Sequence, residues 1–260
     1  MKYVGSKNRL SKDLAPIIQS YIDNNNIKNY WEPFVGGANL IDKIKCENRY
    51  GSDIHKYLIA LLQHVQITTD DLPTTFDENE YKTVRQNPDK YPEWYVGLVG
   101  FCSFGGKWWG GYPRGFKNDK VTPRDIVNEI IRNLIKQAPK LKNIEFFCDD
   151  YINCDERIKD YVVYCDIPYR NSTKYATKNF DYEEFYDWCR DISQRNIVLI
   201  SEWGAELKKL NKAIEYLDEK YKAIQGVENK EIVLTALKCV EKRHDFIVDT
   251  LITIEVPDIL

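Results

Sequence analysis

Asp166-Ile167-Pro168-Tyr169 is the stretch of this sequence best suited to chemistry. It follows the apolar run Tyr161-Val162-Val163-Tyr164-Cys165, which reads as a buried strand. An acid at the carboxyl end of such a strand stands where open α/β sheets bind ligands. The proline stiffens the turn, and the tyrosine offers a flat ring beside the acid. An acid, a fixed backbone carbonyl and an aromatic face together suit the exocyclic amine of a flat heterocycle. The same four residues also fit a plain strand end with an incidental acid.

A second group lies at Glu32-Pro33-Phe34-Val35-Gly36-Gly37-Ala38. Glycines let a backbone pass close to a ligand without a Cβ clash. Asp53 ends the next strand candidate, where an acid can accept both hydroxyls of a ribose. No G-x-x-x-x-G-K-[ST] phosphate grip is present. An acid beside the turn repels a pyrophosphate and suits a cation. The pattern therefore favours a positively charged nucleoside, such as the sulfonium S-adenosylmethionine, over a dinucleotide.

A third group, Phe101 to Arg114, mixes aromatics, glycines and the cations Lys107 and Arg114. Such a loop can stack on bases, wedge into an opened duplex and neutralise phosphates. Trp108 and Trp109 fit that role or an aromatic core patch equally well. Residues 107–142 carry nine Lys/Arg against three acids, among them Lys117 and Arg124, while the rest of the chain has 28 against 37. One basic segment on an acidic body fits a phosphate-contacting surface, or a solvated helix face.

These groups need elements to place them. A helix is predicted over 11–23, strands at 29–32 and 49–53, and a helix over 55–66, with a further helix starting in 39–46. This is the first half of a doubly wound nucleotide-binding fold. Six prolines between 73 and 139 then mark a helical, loop-rich segment. Within it Thr122 is the expected helix cap, with Pro123 in the first turn, Asp125 near the positive end and Pro139 beyond the last turn. Ile126, Ile130, Ile131 and Leu134 share one face. Strands resume at 145–147, 161–165 and 196–200, with a helix at 182–194. A charged helix at 205–222 and strands at 231–237 and 246–254 close the chain.

Length and composition set the limits. The chain has 260 residues, 43% hydrophobic and 13% aromatic, enough for a sizeable core. No apolar run is long enough to span a membrane, and the first residues lack a secretion signal. Seven cysteines without a C-x-x-C pair suggest reduced thiols in a cytoplasm, bacterial or that of a phage-infected host. His55, His64 and His244 have no metal-ligand spacing, so no metal is expected and they read as structural or surface residues.

Lys2-Tyr3-Val4-Gly5-Ser6-Lys7, the 32–37 turn, Asp53, the Asp150-Tyr151 step and Asp166-Ile167-Pro168-Tyr169 occur in this order, with a helical insert between the turn and the last motif. The set resembles the Dam-type (D12 class) DNA adenine-N6 methyltransferases. The likeness covers about 1–66 and 145–205 well, and the insert and C-terminus poorly. It implies an α/β fold: a Rossmann-like, doubly wound methyltransferase sheet in 1–66 and 143–260, with an inserted helical target-recognition domain in 67–142. It implies methyl transfer from S-adenosylmethionine to adenine N6 in double-stranded DNA, in a restriction-modification or regulatory setting.

Carried over by position, Tyr3 and Lys7 contact the cofactor and Lys2 approaches DNA. Glu32, Phe34, Gly36 and Gly37 lie along its methionine part, Asp53 holds the ribose and Asp150 the adenine. Asp166 and the Ile167 carbonyl accept from the target amine, and Pro168 completes the turn. Tyr169 stacks on the target base, and Ser172, Thr173 and Tyr175 help close over it. DNA contacts are implied for Lys107, Trp108, Trp109, Arg114, Lys117 and Arg124. Ile167 stands where the family has proline. It still supplies a carbonyl but loses ring rigidity, so a silent DNA-binding protein of the same fold is an alternative. A cytosine-N4 methyltransferase is another. Ala38 stands where relatives often have glycine, which is tolerable if its φ is negative. Oligomeric state and recognition sequence are not legible.

Overall fold

The computed structural model describes residues 1–114, 125–153, 158–168 and 180–201 in full, and the backbone of 202–203, 233–238 and 249–255. Two compact units divide the chain: residues 1–15 with 35–151, and residues 16–34 with 152–260. Helix α1 (Ser11–Asn24) runs from the first into the second.

The first unit holds two parallel strands, β2 (Asn48–Asp53) and β3 (Ile144–Cys148), paired from Arg49↔Ile144 to Asp53↔Cys148. Helix α2 (Lys56–Ile67) turns Leu58, Ile59, Leu61, Leu62 and Val65 inward. His55 caps it, its Nδ1 accepting from the Leu58 N–H at 3.4 Å, which bears out a structural role. Helices α3 (Glu78–Gln86) and α4 (Glu93–Phe101) follow. Gly97 of α4 lies against the Tyr57 carbonyl, where any Cβ would collide, so glycine sets the approach of α4 to α2.

Helix α5 (Ile126–Leu141) buries Val127, Ile130, Ile131, Leu134, Gln137, Ala138 and Leu141, a repeat of three and four residues. Its cap is Asp125, which accepts from the Asn128 N–H at 2.9 Å, rather than the expected Thr122. Thr122 and Pro123 lie outside the described residues. Pro139 sits inside the helix, not beyond it. The N–H it lacks would have met the carbonyl of residue 135, and exposed Ile135 leaves water near that carbonyl.

The helix expected from 39–46 is a single 3-10 turn, Ile41–Lys43. Leu40, Ile41 and Ile44 are buried as a helical pattern requires. However, the Arg49 guanidinium takes the carbonyls of Ile41 and Ile44 at 3.3 and 3.5 Å, in place of further helical N–H groups.

In the second unit β1 (Asn29–Glu32), β4 (Tyr161–Cys165) and β5 (Ile197–Trp203) run parallel, with Trp31↔Val163 and Val163↔Val198 in register. Val162, Val163, Tyr164 and Cys165 are buried, as a two-faced parallel strand requires. β7 (Asp249–Glu255) pairs antiparallel with β5, and β6 (Val233–Lys238) antiparallel with β7. Helix α6 (Tyr182–Ile192) buries Phe185, Cys189 and Ile192. Parallel strands joined through helices are consistent with a Rossmann-like methyltransferase core. The helix expected at 205–222 lies outside the described residues.

Candidate cofactor and DNA-binding site

In the first unit, the turn after residue 34 is drawn to the end of β2. The Gly36 N–H donates to the Asp53 carboxylate at 3.3 Å, and the His55 N–H donates to its other oxygen at 3.0 Å. Val35 N–H donates to the Ser52 carbonyl at 2.9 Å. Burial pushes the Asp53 carboxyl up to about 6, against the pull of these two N–H donors. The Asp53↔Cys148 register brings the carboxyl ends of β2 and β3 side by side. Asp150 follows two residues after β3, with its N–H donating to Asp149 at 2.8 Å.

Gly36 has φ of +48°, and a Cβ there would lie 2.9 Å from the Tyr3 ring. A Cβ on Gly37 would lie 2.6 Å from Asn39 Nδ2 and 2.8 Å from Tyr3 Cβ. The glycines therefore serve the packing of Tyr3 onto the turn. Lys7 is buried, at 6% exposure. Ala38 has φ of +53°, so the condition under which alanine would sit there easily, a negative φ, is not met. It is fully buried and held in the left-handed region, where glycine is the easier residue. What holds it includes Gln137 of α5. Its Nε2 donates to the carbonyls of Gly37 at 3.1 Å and Ala38 at 2.8 Å. Its Oε1 accepts from the Met1 amine. Sequence reading missed Gln137. A polar residue on the apolar face of α5 was the available signal.

The same unit carries the aromatic loop. Val4 N–H donates to the Gly106 carbonyl at 3.1 Å, which lays the N-terminal strip along the loop. Exposed Lys2 and exposed Lys107 therefore belong to one region. The Trp108 ring packs between His55 at 4.3 Å, Phe101 at 4.9 Å and Tyr57 at 5.5 Å. Trp109 packs edge-on to Tyr81 at 5.3 Å. Both tryptophans are half-buried. The loop's large exposed ring is instead Phe104, 67% exposed beside Gly105 at φ +72°. Arg114 donates to both Glu78 carboxylate oxygens, at 2.9 and 2.6 Å. Hydrogen bonds from Arg114 and Lys82 hold the Glu78 carboxyl down to about 2. Lys117 and Arg124 lie outside the described residues.

In the second unit, Glu32 ends β1 and Asp166 follows β4, its parallel neighbour. Glu32 is 3% exposed and accepts from the Tyr30 hydroxyl at 2.7 Å. Burial and that carboxylate push the Tyr30 phenol well above its ordinary value. Phe34 packs against Phe180 and Phe185 at 5.9 and 5.8 Å. Asp166 and Pro168 are half-buried and Ile167 is buried. The Pro168 carbonyl accepts from the Tyr182 hydroxyl at 2.6 Å. Tyr169, Ser172, Thr173 and Tyr175 lie outside the described residues.

Residues 3–95 match the model of the D12 class N6 adenine-specific DNA methyltransferases. The matched segment contains Tyr3, Lys7, Glu32, Phe34, Gly36, Gly37 and Asp53, and ends before the aromatic loop, Asp150 and Asp166. It supports an adenine-specific DNA methyltransferase activity, with S-adenosylmethionine as methyl donor. No curated protein sequence matches the chain. A solved structure named "putative rRNA-methylase from Clostridium thermocellum" is 13% identical, with a TM-score of 0.40 over 93% of this chain and 96% of that one. Among the described residues no group of three His, Cys, Asp or Glu is placed to hold a metal ion. Nor is any helix there long and apolar enough to cross a membrane.

Proposed function

We propose that the chain is a site-specific DNA methyltransferase acting on N6 of an adenine swung out of a duplex. The observation that carries this reading is the family match over the segment in which Asp53 is bonded to the glycine turn. In this reading residues 1–66 and 143–260 form the catalytic domain, and 67–142 reads the target.

The fit to the cofactor rests on Asp53. Its two oxygens each accept one main-chain N–H, and a carboxylate has about four acceptor positions. Ribose hydroxyls can take the remainder. With a pKa of about 6, Asp53 is mostly ionised at neutral pH, as an acceptor must be. Within the same unit Tyr3, Lys7, Gly36, Gly37 and Asp150 complete the set that would hold the cofactor. The bound cofactor supplies a methyl group carried on a sulfonium.

The remaining work falls to the second unit's turn. The adenine amine is a weak nucleophile because its lone pair is delocalised into the ring. Asp166 and the Ile167 carbonyl accept hydrogen bonds from its two N–H groups and bias the nitrogen toward a tetrahedral shape; the N–C bond would form as the sulfonium S–C bond breaks, with one proton leaving the nitrogen afterwards. Positioning gives most of the rate, and acceptors placed where positive charge develops give more. Extruding the base costs a few kcal/mol, and stacking on Tyr169 offsets part of it. On the DNA side, Lys2, Lys107, Lys117 and Arg124 neutralise phosphates, and exposed Phe104 is the ring best placed to meet bases. Trp108 and Trp109 support the loop from within, and exposed Arg114 pairs with Glu78 at its end.

The test is incubation with methyl-labelled cofactor and unmodified duplex DNA, beside Asp166→Ala. The expected outcome is label in adenine N6 for the parent and none for the variant. Label in cytosine would assign N4 chemistry instead. The second reading, a silent DNA binder, is favoured by Ile167 where family members have proline. It requires retained DNA binding with no label transferred.

A further inference from the structure

The 2.6 Å hydrogen bond from the Tyr182 hydroxyl to the Pro168 carbonyl spans 14 residues of chain. Its donor sits on a fixed mount. Tyr182 opens α6, and Asp181 caps that helix by accepting from the Glu183 and Glu184 N–H groups at 3.0 and 3.1 Å. Three residues on, Phe185 is fully buried. The acceptor belongs to the turn that follows β4. Pro168 fixes its own φ but not its ψ, and Ile167 has no ring to fix φ. The Tyr182 bond holds the Pro168 carbonyl. Buried Ile167 links that residue to Asp166.

From this geometry we infer that Tyr182 is a positioning residue for the Asp166 turn. It holds, through Pro168, the aim of the Asp166 carboxylate and the Ile167 carbonyl without touching substrate. The inference rests on the reading that this turn carries the methyl-transfer chemistry.

Tyr182→Phe keeps the ring and removes only the donor. Two readouts separate the outcomes: steady-state methylation, and amide exchange at Asp166 and Ile167 read from overlapping peptides. The expected result is a kcat lower by about tenfold, the worth of one well-placed hydrogen bond. KM for S-adenosylmethionine stays within about twofold, the melting midpoint holds, and exchange at Ile167 speeds up. A merely structural tyrosine would instead lower the midpoint and leave kcat per folded molecule unchanged. Unchanged kcat with unchanged exchange overturns the inference, as does a loss confined to KM. If the parent transfers no methyl group yet Tyr182→Phe speeds exchange, the positioning of the turn stands and the methyltransferase reading falls.

Discussion

Gln137→Leu isolates the brace under the glycine turn. The substitution keeps a branched apolar stem but removes the amide, leaving the Gly37 and Ala38 carbonyls without the Nε2 bonds at 3.1 and 2.8 Å and the Met1 amine with Asn39 Oδ1 in place of its bond to Oε1. Gln137 is 6% exposed and Ala38 fully buried, so water has no route in. Each orphaned buried acceptor costs about 1–3 kcal/mol. The added apolar surface of leucine returns about 1 kcal/mol. The net loss is about 1–5 kcal/mol, or roughly 2–20 °C in melting midpoint for a chain this size. Gln66→Leu is the matched control. Gln66 Nε2 also donates to two carbonyls, Leu141 at 2.6 Å and Ile144 at 2.7 Å, but that side chain is half-exposed. Water can replace its bonds, so its midpoint should fall less than half as far. Thermal unfolding followed by circular dichroism measures both. Equal shifts in the two variants, or a Gln137→Leu shift within about 2 °C of zero, would refute the reasoning that burial sets the cost.

Three further outcomes follow from the same geometry. Asp53 titrates at about 6 in the folded chain against an ordinary 3.8. The fold thus holds a proton that the unfolded chain has released, and Asp53 lowers stability as pH rises from about 4 to 6. Asp53→Asn lacks that contribution, so the difference between parent and variant in urea midpoint should change across this window; a constant difference contradicts the titration. Gly97→Ala drives a Cβ into the Tyr57 carbonyl and should destabilise by about 2 kcal/mol or more, measured by urea unfolding. Phe104→Ser should leave the melting midpoint unchanged while weakening duplex binding several-fold in a fluorescence titration, because the ring is 67% exposed. Tight binding by that variant would remove Phe104 from the DNA surface.

The strands were legible because burial on both faces writes a continuous apolar run, as in Tyr161 to Cys165. Asp53 was legible as the acid ending the short strand candidate at 49–53, and the structure draws it to Gly36. What the sequence hid depends on distant partners. Leu40, Ile41 and Ile44 carry a helical spacing, but Arg49 takes the carbonyls of Ile41 and Ile44. Arg114 looks like a phosphate contact until Glu78, 36 residues earlier, meets it. Trp108 looks like a stacking platform until His55 and Tyr57 close around it. Ala38 gives no hint of its positive φ, which the surrounding hydrogen bonds impose. Pro139 reads as a stop signal, yet the helix runs through it where one missing N–H costs little.

β6 joins the sheet through β7, which follows it in the chain and lies between it and β5. As the polypeptide leaves the ribosome, β6 emerges before its native partner and waits for β7. A premature stop just before residue 249 would therefore cost two strands, and would leave β5 as a bare edge open to pairing with another chain.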